Sequence, residues 1–422
     1  MQHFLSIRVA LKLLRGIAIF CLLIFAANIQ AQNPFLTTKF ITTDNVKTSA
    51  APFKAVSFRF PVHAKNQLTV DISGKIFPIQ MDEHILQQSN FLMSTLLVFD
   101  TWQDEIRIIG IQPGDSIQTY LFSPPTINLS TMSTKTITDS CDLPALIMQE
   151  AWRKGLPEPD YERIHNKVSH QIIHHTASSN TITDYLNLVR SIYLFHTEVN
   201  GWSDMGYNYL IAPDGSIFAG RDPGDEIGQD EVLGAHFCAS NTSTMGISML
   251  GTFDTIIPSA QAMQSLEQLL TWKSAKDAID PLAELAHPLN ENLGTIAGHR
   301  DGCSTMCPGE SLYNLLSEIR LKTRNNLYDC EIYPGFLEST HSNALEIFPN
   351  PVVGNGFTLR SSLQIENIIF YTITGQLIKE SSIHRKQALI TLPEKLPSGI
   401  YMIKVILSNQ EIVVRKIQLN NF

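Results

Sequence analysis

The sequence predicts a multidomain protein: an N-terminal β-sandwich, a central α/β domain with a mixed sheet flanked by helices, and a small C-terminal β-sandwich. Three observations predict it. The chain has 422 residues, which at roughly 150 residues per domain gives two or three domains. Both ends are strand-like, and only the middle mixes helical with strand patterns. Hydrophobic residues make up 44% and charged residues 17%, which excludes a disordered or collagen-like chain.

The N-terminus has the order of a signal peptide. Three basic residues, Arg8, Lys12 and Arg15, precede an apolar run that ends shortly before Ala31. We therefore expect cleavage after Ala31. A membrane anchor is the alternative, but the run is shorter than the roughly 20 apolar residues of a spanning helix. The mature protein is expected to lie outside the cytoplasm without a transmembrane helix.

Composition shifts divide the rest of the chain. A segment with strand-like alternation is followed by a stretch rich in Ser, Thr and Pro. This stretch cannot bury enough apolar surface to fold alone. The predicted boundaries are 1–31 for the signal peptide, 32–125 for the first β-sandwich, 126–141 for a linker, 142–330 for the α/β domain, 331–344 for a second linker and 345–422 for the last β-sandwich. No motif in the first sandwich indicates a function.

Periodicity predicts the elements of the middle domain. Apolar residues three and four apart predict helices at Leu143–Lys154, Ile182–Val199, Ala260–Ile279 and Glu310–Asn325. Apolar runs predict strands in "HQIIHHT", "YNYLIAP", "SIFAGR", "MGISMLG" and "TIAGH".

The net charge excludes one class of partner. The 31 basic and 40 acidic residues leave a net charge of −9, and no basic block occurs. Nucleic acid is therefore not an expected ligand.

Histidine and cysteine in the middle domain favour a metal site. Two imidazoles and one thiolate suit tetrahedral zinc, and three protein ligands are typical of a catalytic site. Strand alternation sends His174 and His175 to opposite faces, so only one of them faces a given site. His299 and Cys307 are eight residues apart across a loop that can bring both to one point. Two alternatives stay open: the histidines are core residues, or Cys307 pairs with Cys303.

Four motifs of the middle domain are "IIHHTASS", "GWSDMGYNYLIAPDGSIFAGR", "LGAHFCASNTSTMGISMLGTF" and "IAGHRDGCSTMCPGE". Together and in this order they resemble the peptidoglycan recognition protein family of zinc N-acetylmuramoyl-L-alanine amidases, over roughly Leu143–Tyr328. The resemblance implies a Zn²⁺ cofactor held by His174, His299 and Cys307. Cys307 is the ligand that recognition-only members lack, so its presence favours an enzyme.

The resemblance also implies two catalytic residues. Tyr207 matches the tyrosine beside the reacting water, where a phenol can donate to the developing oxyanion; the alternative is a core tyrosine on one strand face with Tyr209. Thr305 matches a position that is lysine in phage members and threonine in animal members. Ser248 stands where other amidases carry a glutamate base, so no carboxylate base is assigned.

Five further positions match the family's peptide groove, although a packing role is equally open for one of them, His196. Where members distinguish diaminopimelate from lysine stems, this chain has Asp222-Pro223 and matches neither pattern. The groove positions are His175, Thr176, His196, His236 and Asn241.

Cysteine counting completes the domain. After removal of Cys21 with the signal peptide, five cysteines remain, and with Cys307 assigned to zinc by the resemblance four are left, which allow three pairings. We predict Cys238–Cys303, in loops bordering the groove, and Cys141–Cys330, which bracket the domain.

The C-terminal segment contains the motifs "IFPNPV", "YTITGQLI", "LPSGIYMIKV" and "VVRKIQL". With these motifs it resembles the type A sorting domain of the type IX secretion system. This resemblance implies the type IX machinery as a partner and a secreted or cell-surface location. A carbohydrate-binding β-sandwich is the alternative.

The sequence therefore predicts a secreted zinc amidase that cleaves the bond between N-acetylmuramic acid and L-alanine in peptidoglycan or muropeptides. Two alternatives belong to other classes: a non-catalytic peptidoglycan-binding module, and a surface adhesin in which the β-domains bind.

Overall fold

The fold is taken from a computed structural model of the protein. It describes residues 33–82, 90–127, 141–330, 345–372, 376–393, 396–408 and 412–420. The predicted signal peptide and second linker lie outside the described residues, as does most of the first linker.

The N-terminal region is a seven-stranded antiparallel sheet, consistent with the alternation of apolar and polar residues in its sequence. The order is β1-β7-β2-β6-β3-β4, with β5 paired to β2. The pairing connects all seven strands, so the two-sheet division of the expected sandwich is not confirmed. The strands are β1 (Leu36–Ile41), β2 (Thr48–Pro61), β3 (Thr69–Ile72), β4 (Lys75–Pro78), β5 (Phe91–Met93), β6 (Leu97–Ile109) and β7 (Ile117–Phe122), with a 3₁₀ turn at Val62–Ala64.

The central region is an α/β domain with a mixed sheet, as expected. The sheet order is β15-β9-β12-β10-β11-β8, and β10 and β11 form its antiparallel hairpin. The strands are β8 (Leu146–Ile147), β9 (His170–His175), β10 (Tyr209–Ile211), β11 (Ile217–Ala219), β12 (Thr244–Met249), β13 (Glu284–His287), β14 (Asn290–Gly294) and β15 (Ile296–Gly298). The helices are α1 (Gln149–Trp152), α2 (Tyr185–Leu194), α3 (Ala260–Asp277), α4 (Glu310–Tyr313) and α5 (Leu316–Asp329), with a π-helical turn at Phe195–Val199 and a 3₁₀ turn at His299–Asp301.

The first predicted helix, Leu143–Lys154, is mostly wrong. Only Gln149–Trp152, in its C-terminal half, is helical, because Leu146 and Ile147 instead pair with Ile217 and Phe218 at the sheet edge. The last predicted helix is divided into α4 and α5.

The two faces of the central sheet have different cores. On one face, Ile173 and Ile247 pack with Leu266 and Leu269 of α3. On the other face, Leu210 packs with α2 residues such as Ile192. The strand alternation therefore places His174 on the α2 side of the sheet.

The C-terminal region is a separate β-rich unit with its own buried cluster. The sheet order is β16-β18-β20-β21-β17, with β19 paired to β18. No helix among the described residues is long and apolar enough to cross a membrane. The strands are β16 (Leu345–Phe348), β17 (Val352–Val353), β18 (Gly356–Thr372), β19 (Leu377–Thr391), β20 (Gly399–Leu407) and β21 (Ile412–Asn420).

Candidate metal centre

The first candidate ligand, His174, is positioned by a central strand. It lies in β9 between β12 and β15, and its register partner on β12 is Ser248. His174 is fully buried, and its ring centroid lies 4.4 Å from that of His299. Because β9 is paired on both sides, the backbone that carries this imidazole is held in position.

The other two candidates lie on one loop at the end of β15. His299 begins the 3₁₀ turn that follows the strand, and the amide of Arg300 donates to the carbonyl of Cys307 at 3.0 Å. Asp301 closes the turn, because its Oδ2 accepts the Gly298 amide at 2.8 Å. The loop therefore brings the eight-residue separation of His299 and Cys307 back to one point.

The three side chains form a ligand group that fits zinc. Their donor atoms all lie within 4.8 Å of one another, and the Cys307 Sγ lies 3.7 Å from His174 Nδ1. Tetrahedral zinc at ordinary bond lengths would place a sulfur and a nitrogen about 3.6 Å apart. The His175 amide donates to the Cys307 sulfur at 3.3 Å, which fixes the position of the sulfur beside His174. No carboxylate joins this group in the described part of the chain.

A second histidine, His236, contacts the ring nitrogen of His174 that faces away from the candidate metal position. His236 Nδ1 lies 3.0 Å from His174 Nε2, and its own Nε2 lies 3.2 Å from the Thr244 hydroxyl, which donates to the Asn241 carbonyl at 2.7 Å. Burial, and then the charge of Arg221, lower the pKa of His236 to about 3, so the ring is neutral. His236 can thus accept from His174 and donate to Thr244, which leaves His174 Nδ1 directed at the metal position.

Sequence reasoning placed His236 in the peptide groove and missed this contact. The signal was present in two glycines. A Cβ on Gly234 would come within 2.7 Å of the His236 ring, and a Cβ on Gly246 within 2.6 Å. Only glycine at these positions leaves room for the imidazole.

The two residues expected to be catalytic both adjoin the ligands. The Tyr207 ring centroid lies 5.2 Å from that of His174, and the residue is 5% exposed. Tyr209 belongs to the buried cluster on the opposite face from that of Tyr207. Thr305 Oγ1 accepts the Cys307 amide at 3.0 Å and so supports the backbone of a ligand.

Two of the remaining groove candidates line a surface depression, and the other two accept hydrogen bonds from backbone amides. Thr176 and His196 line a surface depression beside Tyr207. His175 Nδ1 accepts the Phe253 amide at 3.3 Å. Asn241 Oδ1 accepts the amides of His236 and its neighbour at 2.7 and 2.8 Å, which fixes the loop that carries His236.

Both predicted disulfides are confirmed. Cys141 is bonded to Cys330, and Cys238 to Cys303. Cys307 is the free cysteine among the described residues, so the alternative Cys303–Cys307 pair is wrong. The Cys238 sulfur lies 3.9 Å from His299 Nε2, so one bridge packs directly against a candidate ligand.

Comparison with known families defines the class of the central domain. Residues 165–310 match the family described as N-acetylmuramoyl-L-alanine amidase. Residues 346–420 match the family described as secretion system C-terminal sorting domain. The first match contains all three candidate ligands, and the second covers the C-terminal sheet.

Individual relatives of the central domain are peptidoglycan recognition proteins. Peptidoglycan-recognition protein SC1a of Drosophila melanogaster is 33% identical over 153 residues, covering 35% of this chain and 72% of that protein. Peptidoglycan recognition protein 1 of Bos taurus is 29% identical over 160 residues, covering 37% and 75%. Among solved structures, wild-type Drosophila PGRP-LB is 29% identical, covering 41% of this chain and 92% of that chain, with a TM-score of 0.33. Human PGRP-IBETAC in complex with glycosamyl muramyl pentapeptide is 29% identical, covering 42% and 96%, with a TM-score of 0.34. The chain belongs to the peptidoglycan recognition protein family of amidase-like proteins.

Proposed function

We propose that the protein is a secreted, zinc-dependent N-acetylmuramoyl-L-alanine amidase, which hydrolyses the amide bond between N-acetylmuramic acid and L-alanine in peptidoglycan or muropeptides. The observation that carries the proposal is the buried group of His174, His299 and Cys307. Its soft, three-donor composition is that of a catalytic zinc site. The relatives alone do not support catalysis by this protein, because their names specify recognition.

The chain's own residues would divide the reaction among them. His174, His299 and Cys307 would hold zinc, which when bound would act as a Lewis acid on the scissile carbonyl and lower the pKa of an attacking water. Tyr207 would donate a hydrogen bond from its phenolic hydroxyl to the carbonyl oxygen as negative charge develops there. Thr305 would hold the Cys307 backbone in place and orient water with its hydroxyl. No residue is assigned as the base.

We also propose the rest of the predicted organisation. The stem peptide would lie along the groove residues His175, Thr176, His196, His236 and Asn241. The boundaries predicted above would separate a signal peptide, the first β-domain, the amidase domain of 142–330 and the sorting domain of 345–422. The sorting domain would deliver the protein through the type IX machinery to the surface or the medium.

A second candidate function is a peptidoglycan-binding module without turnover. The observation in its favour is that no carboxylate joins the ligand group in the described residues, so the proton acceptor of an amidase is not identified.

The test is a mass-spectrometric digest of purified peptidoglycan by the full mature chain, with zinc, with a chelator and as Cys307→Ala. We expect stem peptides beginning at L-alanine only from the zinc-loaded wild type. If no peptide is released while the protein still sediments with peptidoglycan, the binding module replaces the enzyme. Tyr207→Phe with wild-type turnover would remove only the oxyanion role.

A further inference from the structure

Helix α2 is enclosed on all sides by the rest of the chain. Residues 187–194 are all buried, and this run covers more than two turns of the helix. A helix that packs against one neighbour alone keeps an exposed face, so α2 needs a second partner. The central sheet covers one side of it through residues such as Leu210, and the N-terminal region covers another through residues such as Leu96. The N-terminal region therefore completes the interior in which α2 lies.

Polar contacts fix the N-terminal region at the start of α2. The Asp100 carboxylate accepts the backbone amides of Thr183 and Asp184 at 3.1 and 3.0 Å, and the Thr183 hydroxyl at 2.9 Å. Asp184 in turn caps the helix, because its Oδ1 accepts the Asn187 amide at 3.0 Å. Lys54 forms an ion pair with Asp184 at 2.9 Å. These contacts set the position of the N-terminal sheet relative to α2.

At the other end of α2, the two domains meet through a pair of aromatic rings. Phe122 of β7 and Phe195 pack edge to face, with ring centroids 6.3 Å apart, and both residues are buried. Such ring pairs contribute stability beyond the apolar area that they bury. Phe195 follows the last residue of α2 and begins the π-helical turn Phe195–Val199. Phe122 therefore packs against the first residue of this turn.

The π-helical turn holds the segment that precedes Tyr207. Its second residue, His196, accepts two backbone amides from this segment. The His196 carbonyl oxygen accepts the Trp202 amide at 2.9 Å, and its Nδ1 accepts the Gly206 amide at 3.1 Å. The ring centroid of His196 also lies 5.7 Å from that of Tyr207. Because Tyr207 follows Gly206 directly, a movement of the turn would shift the phenol beside the ligand group.

We propose that the N-terminal β-domain positions the active site, and that Phe122 is the positioning residue through which it acts. Phe122 fixes Phe195 and with it the π-helical turn. His196 on that turn then holds the backbone that leads to Tyr207. The inference rests on the proposed function, because it gives Phe122 an effect on the phenol that would donate to the oxyanion. It assigns a role to a region in which the sequence shows no functional motif.

The test compares two matched deletions of a buried ring in the full mature chain. Phe122→Ala removes the ring at the domain contact. Phe60→Ala removes an equally buried ring from the N-terminal region's own cluster, which among the described residues includes none of the amidase domain. Zinc affinity is measured by competition with a chelator, kcat and KM by release of stem peptides, and the protection factor of the Gly206 amide by hydrogen exchange in the zinc-free chain.

We expect Phe122→Ala to lower kcat/KM by roughly 10- to 100-fold, since a misplacement of about 1 Å costs up to roughly 100-fold in rate. The loss should appear mainly in kcat, because an oxyanion donor acts in the transition state. The protection factor of the Gly206 amide should fall in the same variant. Zinc affinity should stay at the wild-type value, because none of the three ligands lies on the turn. Phe60→Ala should keep wild-type values throughout.

A milder pair, Phe122→Leu and Phe60→Leu, decides the question if either alanine variant fails to fold. Leucine refills much of the volume of the ring, so Phe122→Leu should show the same changes at smaller size. Wild-type kcat and Gly206 protection in a folded Phe122 variant overturn the proposal. Equal losses in the Phe122 and Phe60 variants also overturn it, because they would reflect general destabilisation of the N-terminal region.

Two further outcomes separate this role from others. A Phe122 variant that loses binding to intact peptidoglycan but keeps kcat/KM on soluble muropeptides would make the β-domain a glycan-binding module, and this too overturns the proposal. If the zinc-loaded wild type releases no peptide, the proposed function fails. The Gly206 protection factors of the zinc-free variants still decide whether Phe122 positions the segment before Tyr207.

Discussion

The support of His174 by His236 predicts a large effect from a single methyl group. In Gly246→Ala the new Cβ would lie 2.6 Å from the His236 ring, whereas ordinary contacts begin near 3.4 Å, so the ring must move by about 0.8 Å. That displacement breaks the 3.0 Å hydrogen bond to His174 Nε2 and frees the ligand to rotate. Loss of such an outer partner costs roughly 10- to 100-fold in metal affinity, or roughly 1.4 to 2.8 kcal/mol.

The assay is zinc competition against a fluorescent chelator, combined with thermal melting of the zinc-free protein. We expect weaker zinc binding in Gly246→Ala, and a similar loss in His236→Ala, which removes the partner without adding a clash. Gly399→Ala is the matched control, because a Cβ there meets nothing nearer than 4.0 Å. Wild-type zinc affinity in a folded Gly246→Ala protein would refute the positioning role of His236. A lower melting temperature with unchanged zinc affinity would assign the glycine to packing alone.

Three other outcomes follow from the site and the domain contact. Tyr207→Phe should lower kcat by on the order of a hundredfold with little change in KM, because an oxyanion donor acts mainly in the transition state; equal losses in both parameters would contradict this role. Burial raises the pKa of Asp100, but hydrogen bonds from the amides outweigh burial, so the net effect lowers its pKa below 3.8. The contribution of Asp100 to docking is therefore complete above the pKa of the unfolded state and is lost as pH falls through the pKa of the folded state. The protection factors of the Thr183 and Asp184 amides, which correct for the intrinsic exchange rate at each pH, should therefore fall below about pH 4 in the wild type and be low already at neutral pH in Asp100→Asn. An identical pH profile in both proteins would remove Asp100 from the interface. Chelation of zinc should abolish stem-peptide release while helix α3 keeps its exchange protection, and global unfolding on chelation would make the site structural.

Part of the ligand group could be predicted because its chemistry is local. Strand alternation allows only one of His174 and His175 to face a given site, and His299 and Cys307 share one loop. The resemblance selected His174, and the structure brings these three side chains together. The two disulfides were predictable for a similar reason, since few pairings remained once Cys307 was assigned. The resemblance added the order of motifs, which spacing alone does not provide.

The contacts between distant segments were not predictable. Leu146 and Ile147 have an apolar pattern that fits a helix, and only the edge of a sheet formed 70 residues later makes them a strand. Leu96 and Phe122 lie within the predicted first β-domain, yet they share a buried cluster with Ile192 and Phe195 of the central domain. A hydrophobic pattern indicates that a side chain is buried and not which domain covers it.

The placement of the ligand group argues for a catalytic centre over a structural one. A structural zinc commonly supplies folding energy that a small core lacks. Here the cluster that joins Ile173 and Ile247 to α3 is complete on the opposite face of the sheet and includes none of the three ligands. The ligand loop is instead held by the Cys238–Cys303 bridge and by the hydrogen bond between Arg300 and Cys307. If these contacts suffice to hold the domain, zinc would not be needed for folding, and three protein ligands would leave one position for water or substrate, as the proposed amide hydrolysis requires.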